Sequence, residues 1–209
     1  MKVPVIPTLG RPASSRVAKA PHEVRIIGGL WKRTPLTVVD APGLRPTPAR
    51  VRETLFNWLG QDLSGWRCLD AFAGTGALGL EAASRGAAES VLVENDAALV
   101  SRLQAVKTRL KADAVRIERG DALAALRQRA GQNLDVVFLD PPFAQGGNEP
   151  LFTAALGAAA QAVGPQGFVY LEAPRSWGAA ELEALGFVLH REGRAGAVAF
   201  HLLRPLPRS

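Results

Sequence analysis

Asp140, Pro141, Pro142 and Phe143 follow directly on the apolar run Leu134-Asp135-Val136-Val137-Phe138-Leu139. A carboxylate accepts hydrogen bonds, a proline-rich turn leaves carbonyls without a competing N–H, and an aromatic ring offers a flat face. Together they suit an amino group on a nucleobase: acceptors for its N–H bonds and a surface for the ring that carries it. The apolar run predicts a buried strand of a parallel sheet, and it must stop at Pro141, because proline gives nothing to a ladder. Asp140 then stands at the carboxyl edge of a central strand, where open α/β sheets bind their ligands. The competing reading of Asp140 is a strand-end carboxylate with a purely structural part.

A second group of residues points to a nucleotide-like cofactor. Gly74-Thr75-Gly76-Ala77-Leu78-Gly79 has the spacing G-x-G-x-x-G between an apolar run and a helical pattern. By itself this says only that backbone approaches a ligand closely through a tight turn, and it fits a nicotinamide dinucleotide as well as S-adenosylmethionine. Three acids separate the two. Asp70 ends the strand before the glycine loop, Glu94 ends the next strand, and Asp121 follows the third. A carboxylate at Asp70 suits an ammonium and repels a pyrophosphate; Glu94 suits ribose hydroxyls; Asp121 suits an adenine amine. Each acid alone reads equally well as a helix cap. With Asp140 ending a fourth strand, they favour S-adenosylmethionine. The flanking Phe72, Ala73, Asn95 and Ala122 complete the candidate cofactor-binding set.

These residues need a frame, and the sequence from Trp66 onward alternates strand and helix patterns. Strands are predicted at 67–72, 90–94, 114–118, 134–140 and 167–172, with helices after each, and the chain ends in two strands, 187–192 and 197–203, joined by a glycine-containing turn. This predicts an α/β, Rossmann-like class I fold: a seven-stranded, mostly parallel sheet with an antiparallel C-terminal hairpin.

The charge is unevenly placed. Residues 1–60 hold ten Lys/Arg and three Asp/Glu, whereas residues 61–209 hold fifteen and sixteen, so the whole net charge of +6 comes from the N-terminal segment. A basic front on a near-neutral body suggests a polyanionic partner. Residues 1–22 hold four prolines and no acid, with no packing period, and are expected to be a disordered basic tail. Residues 23–60 are expected to form a small hairpin and helix covering the cofactor and RNA, and residues 61–209 the catalytic domain. Trp31, Lys32 and Arg33 at the predicted hairpin turn could stack on a base and hold phosphates, or form an ordinary turn over a packed tryptophan. In the helix, Thr47 is expected as N-cap with Pro48 at its first position. Val51, Leu55, Trp58 and Leu59 form its apolar face. Arg45, Arg50 and Arg52 are left for phosphate or for solvent.

Other classes recede. The single cysteine, Cys68, excludes an intramolecular disulfide and fits a reducing cytoplasm. With three scattered histidines, no metal is expected. No apolar run approaches the roughly 18 residues of a membrane span.

The motifs together resemble a known family. Arg25-Ile26-Ile27-Gly28-Gly29, Leu44-Arg45-Pro46-Thr47, Arg50 to Trp58, Leu69 to Gly76 and Asp140-Pro141-Pro142-Phe143 look like the bacterial 16S ribosomal RNA guanine-N2 methyltransferases of the small-subunit type. The resemblance covers about residues 24–205. It implies S-adenosylmethionine as methyl donor and a guanine exocyclic amine of 16S rRNA as acceptor, in an assembling or assembled small ribosomal subunit. It further implies catalytic roles for Asp140 to Phe143, and RNA contacts from Arg25, Trp31, Lys32, Arg33, Arg45, Arg50 and Arg52. The strand-end motif alone leaves an adenine-N6 methyltransferase acting on DNA or RNA as the alternative.

Overall fold

The structure is a computed structural model that describes residues 23–37, 47–143 and 148–207. The basic tail and Arg45 lie outside the described residues. Two short strands, β1 (Glu23–Arg25) and β2 (Pro35–Thr37), pair antiparallel. They are followed by α1 (Ala49–Trp58), β3 (Arg67–Asp70), α2 (Ala77–Ser84), β4 (Glu89–Glu94), α3 (Ala97–Leu110) and β5 (Val115–Arg119). The chain continues through α4 (Ala122–Gln128), β6 (Leu134–Leu139), α5 (Glu149–Ala162), β7 (Val163–Ala173), α6 (Ala179–Ala184), β8 (Phe187–Ala195) and β9 (Val198–Pro205). The main sheet has the order β5-β4-β3-β6-β7-β9-β8, with β7–β9 and β8–β9 antiparallel and the other pairs parallel. This is the predicted seven-stranded sheet with its closing hairpin.

The central strands are apolar on both faces because helices cover both. Leu69, Val137, Leu139, Val169 and Leu171 pack with Leu126, Phe152, Leu156 and Leu182 of α4, α5 and α6. The alternate residues Cys68, Val136, Phe138, Phe168 and Tyr170 pack with Val51, Leu55 and Phe56 of α1. A third cluster joins Leu80 of α2, Leu103 of α3 and Leu92 of β4 to Val24, Ile26 and Leu36 of the hairpin. Val136, Val137, Phe138 and Leu139 are completely buried. Each contributes roughly 1.5–3 kcal/mol, so β6 is a rigid base for the residues that follow it.

Two local expectations are corrected. The first strand ends at Asp70, because Ala71 to Gly76 already turn toward the glycine loop. Pro48, and not Thr47, occupies the N-cap of α1, with no side-chain cap. Thr47 itself is buried. Among the described residues, no helix is long and apolar enough to cross a membrane.

Candidate active site

The strand order reverses between β3 and β6, and it is outside the carboxyl ends of strands at such a point that open α/β sheets bind their ligands, in a crevice. Asp70 ends β3 and pairs in register with Phe138, so Asp140 lies just beyond on the neighbouring strand. Leu139 pairs with Leu171, which sets Glu172 of β7 beside Asp140. Three carboxylates from adjacent strands therefore meet at the mouth of the crevice. Burial is the main cause of a raised pKa at each. Asp140 is held well above its ordinary value, with the charges of Glu172 and Asp70 adding to the effect. Glu172 is raised as well. Asp70 is pushed up to about 7, with Glu94 contributing. The Thr47 side chain draws both Asp140 and Glu172 back down. Tyr170 Oη donates to Glu172 Oε1 at 2.9 Å.

Sequence reasoning missed Thr47, Tyr170 and Glu172. Glu172 had a signal, since it too is an acid near the end of an apolar strand. The position of Thr47 depends on where α1 packs, which no local pattern reveals.

The candidate cofactor residues gather along the β3, β4 and β5 side. Asp70 is 1% exposed, and its Oδ2 accepts the N–H of Gly79 at 2.9 Å, tying the strand end to α2. Its Oδ1 is the buried side-chain atom without a partner among the described residues. Gly74 and Gly76 adopt positive φ values of 52° and 78°, a region that L side chains rarely enter. Phe72, Gly74 and Thr75 are half-buried, and Ala73 is buried. Glu94 is half-buried and accepts the N–H groups of Gly74 at 2.9 Å and Asp96 at 2.9 Å, so it orders the loop it faces. Asn95 is exposed. Asp121 is exposed and caps α4 through the N–H of Ala124 at 2.8 Å, and Ala122 is buried behind it.

On the other side of Asp140, Pro141 is buried and Pro142 is exposed. Phe143 is 40% exposed, a large fraction for an aromatic ring beside a crevice. It lies against Phe152 of α5, with ring centroids 6.1 Å apart and the rings tilted by 36°. The ring thus has one aromatic neighbour and stays partly open.

The basic front divides in two. Arg25, Lys32, Arg33 and Arg50 are exposed. Trp31 is half-buried against the cluster containing Ile26 and Leu80, so it both packs and remains partly open. Arg52 is corrected: it is 1% exposed, and its guanidinium reaches the carbonyl of Arg25 at 2.9 Å and Glu81 Oε2 at 3.4 Å. It is an internal tie and has no surface to offer RNA. The signal was present, because Arg52 falls at helical spacing from Leu55, Phe56 and Leu59, all buried. Among the described residues, no group of three His, Cys, Asp or Glu side chains is placed to hold a metal ion.

Comparison with known proteins bears on the fold and the family. The family model described as Conserved hypothetical protein 95 matches residues 24–204. The ribosomal RNA small subunit methyltransferase D of Escherichia coli K12 is 43% identical over 180 residues, 86% of this chain and 89% of the relative. The protein of that name from Haemophilus influenzae is 46% identical over 127 residues, 59% of this chain and 66% of the relative. Among solved structures, the putative methyltransferase yhhF of Escherichia coli superposes with a TM-score of 0.74 at 36% identity, covering 89% of this chain and 99% of its own. A putative methylase of Haemophilus influenzae gives 0.72 at 33% identity, covering 88% and 99%. The unpartnered Asp70 oxygen, the positive-φ glycines and the Glu94 carboxylate fit an amino-acid nucleoside at the strand ends. The chain belongs to the Conserved hypothetical protein 95 family, and with it to the Rossmann-like, S-adenosylmethionine-dependent methyltransferases.

Proposed function

We propose that this protein transfers a methyl group from S-adenosylmethionine to the exocyclic N2 amine of a guanine in 16S rRNA, in an assembling or assembled small ribosomal subunit in the cytoplasm. The observation that carries this reading is the junction of Asp140, a carboxylate with a raised pKa, with a supported and partly open Phe143 ring at the end of β6. The small-subunit rRNA methyltransferase names of the relatives support the substrate class.

When bound, S-adenosylmethionine supplies an electrophilic methyl carbon on its sulfonium. Asp70, Phe72 to Gly76, Glu94, Asn95, Asp121 and Ala122 are the residues that would hold it. A guanine amine is a poor nucleophile because its lone pair is conjugated with the ring. Asp140 and the Pro141 carbonyl accept its N–H bonds, which lets the nitrogen pyramidalise and frees the lone pair. The same acceptors stabilise the positive charge that develops on nitrogen. Burial and Glu172 raise the basicity of Asp140, so it can also take the proton the product releases. Phe143 stacks on the base once it has left its own stack. Arg25, Lys32, Arg33 and Arg50, with the partly open Trp31, form the surface for the flanking RNA, and Arg45 is assigned to the same role. Residues 23–60 act as the cover and 61–209 as the catalytic domain.

Nucleoside mass spectrometry of small-subunit particles and free 16S rRNA treated with protein and donor tests the reading. The expected product is N2-methylguanosine. Methylation of adenosine alone would replace the proposal with the adenine-N6 alternative, and no transfer to either RNA would overturn it.

A further inference from the structure

We propose that the groove between β2 and α3 is a second RNA subsite, in which an unstacked base flanking the methylated guanine lodges while Arg102 and Arg109 hold neighbouring phosphates. The inference rests on the reading of the acceptor as RNA, and deepens it with a site on the catalytic domain. The groove is a cavity of about 210 Å³ lined by Leu36 of β2, by Leu99, Leu103 and Val106 of α3, and by Gly74 and Thr75 of the glycine loop. Arg102 and Arg109 line it as well. Leu36 and Leu103 are buried, Leu99 and Val106 are half-buried, and the two arginines are exposed. The lining therefore grades from an apolar interior to two cations in solvent. Sites that enclose a whole small molecule measure roughly 300–1,000 Å³. This groove is smaller and suits one part of a longer ligand, and a single base is the flat part of a polynucleotide that packs on apolar side chains.

The charges select a polyanion. Among the described residues, no acid lines the groove. Residues 97–112 hold four Lys/Arg and no Asp/Glu, an exception within the near-neutral 61–209. Lys107 and Arg109 lie in the last turn of α3, where cations suit the helix dipole. Arg102 is not explained in that way. It sits at mid-helix, the residues three and four positions from it are Ala98, Leu99, Ala105 and Val106, and no helical ion pair is open to it. Its guanidinium has no partner among the described residues. Arg109 is anchored, since it donates to the carbonyl of Pro35 at 2.9 Å, and a guanidinium keeps further N–H groups to give. The two arginines are two helical turns apart, about 10 Å along the axis, so they can serve different phosphates. The groove also adjoins both parts of the proposed site. Leu36 follows the turn that carries Lys32 and Arg33, and Gly74 and Thr75 belong to the cofactor loop.

Binding of the full chain to 16S rRNA and to small-subunit particles over a salt series tests the subsite. Arg102→Ala should weaken binding about fivefold and reduce the slope of log affinity against log salt by about one, the signature of one lost phosphate contact. Arg102→Lys should restore the slope. Donor affinity in calorimetry should match the wild type in both variants. With p-benzoylphenylalanine in place of Ala105, an exposed residue of the lining, light should crosslink the protein to a nucleotide close in sequence to the methylated guanine. Unchanged affinity and slope in Arg102→Ala, beside normal formation of N2-methylguanosine by the wild type, would overturn the subsite and leave the proposed function standing. Crosslinks to protein, or to RNA remote from the methylated guanine, would overturn it too. So would a fall in donor affinity, because the groove would then belong to the cofactor. A wild-type protein that transfers no methyl group to RNA but keeps the Arg102 salt signature would instead overturn the proposed function and leave the RNA subsite in place.

Discussion

Glu81 and Asp140 are both carboxylates shielded by the same α/β core, and their surroundings are opposite. Glu81 is completely buried and receives four donors: the N–H of Ile27 at 2.7 Å, the N–H of Gly28 at 2.8 Å, Arg85 at 2.9 Å and Arg52 at 3.4 Å. Its charge is answered by two guanidinium groups, and the result fastens the N-terminal hairpin and α1 to α2. Asp140 has two other acids around it and a raised pKa. The first arrangement serves cohesion. The second is costly to folding, and it leaves an acceptor of the kind that the proposed amine-methylating centre would require.

The contrast can be broken at either end. The largest effect is expected from Glu81→Ala, which leaves Arg52 buried without its partner and should cost about 3–5 kcal/mol in urea unfolding. Release of the hairpin should appear as fast hydrogen exchange at Ile27 and Gly28. Asp140→Asn should do the reverse. Methyl transfer should drop by about a hundredfold, equivalent to about 2.7 kcal/mol of barrier, while cofactor affinity holds in calorimetry. The same variant should unfold at a higher temperature than wild type at pH 8, because a repelled charge has been removed. A loss of stability there would mean that the acid corner is as cohesive as Glu81.

Asp70 sharpens the comparison through pH. Its folded pKa is raised to about 7, above its unfolded value. Its contribution to stability is therefore complete in acid and is lost as pH rises toward 7. Wild-type stability should decline by about 2 kcal/mol between pH 5 and 7 from this group, and Asp70→Asn should flatten that decline. The smallest effect is expected at the two caps. Asp96→Ala and Asp121→Ala should each cost about 1 kcal/mol of stability. Only Asp121→Ala should also weaken cofactor binding in calorimetry; equal affinities would reduce Asp121 to a cap.

The frame was readable because it is written in local pattern. Apolar runs that end in Asp70, Glu94 and Asp140 mark the strands, and the glycine spacing marks the turn that follows the first of them. The closing hairpin at 187–205 was equally plain from two strands around Gly196. What could not be read were relations between elements. Whether an arginine on α1 faces solvent or Glu81 depends on α2, which is 25 or more positions away in sequence. Thr47 looked like a cap because capping is the commonest local use of a threonine before a helix. It is buried instead, one position before the cap, where α1 packs on the sheet.

α2 has a property that follows from its two ends. Its first turn carries the glycine loop, and its far end holds the hairpin through Glu81 and Ser84: Ser84 Oγ donates to the carbonyl of Gly28 at 2.6 Å, and a side chain on Gly29 would collide with the Ser84 carbonyl. Eight residues of helix span about 12 Å, and all eight are buried. The helix is a strut of set length, so the basic turn cannot swing outward without dragging the cofactor loop along. On the proposed reading, a strand of RNA held at the turn would be measured off against the methyl donor, much as a jig sets the distance between a clamp and a drill.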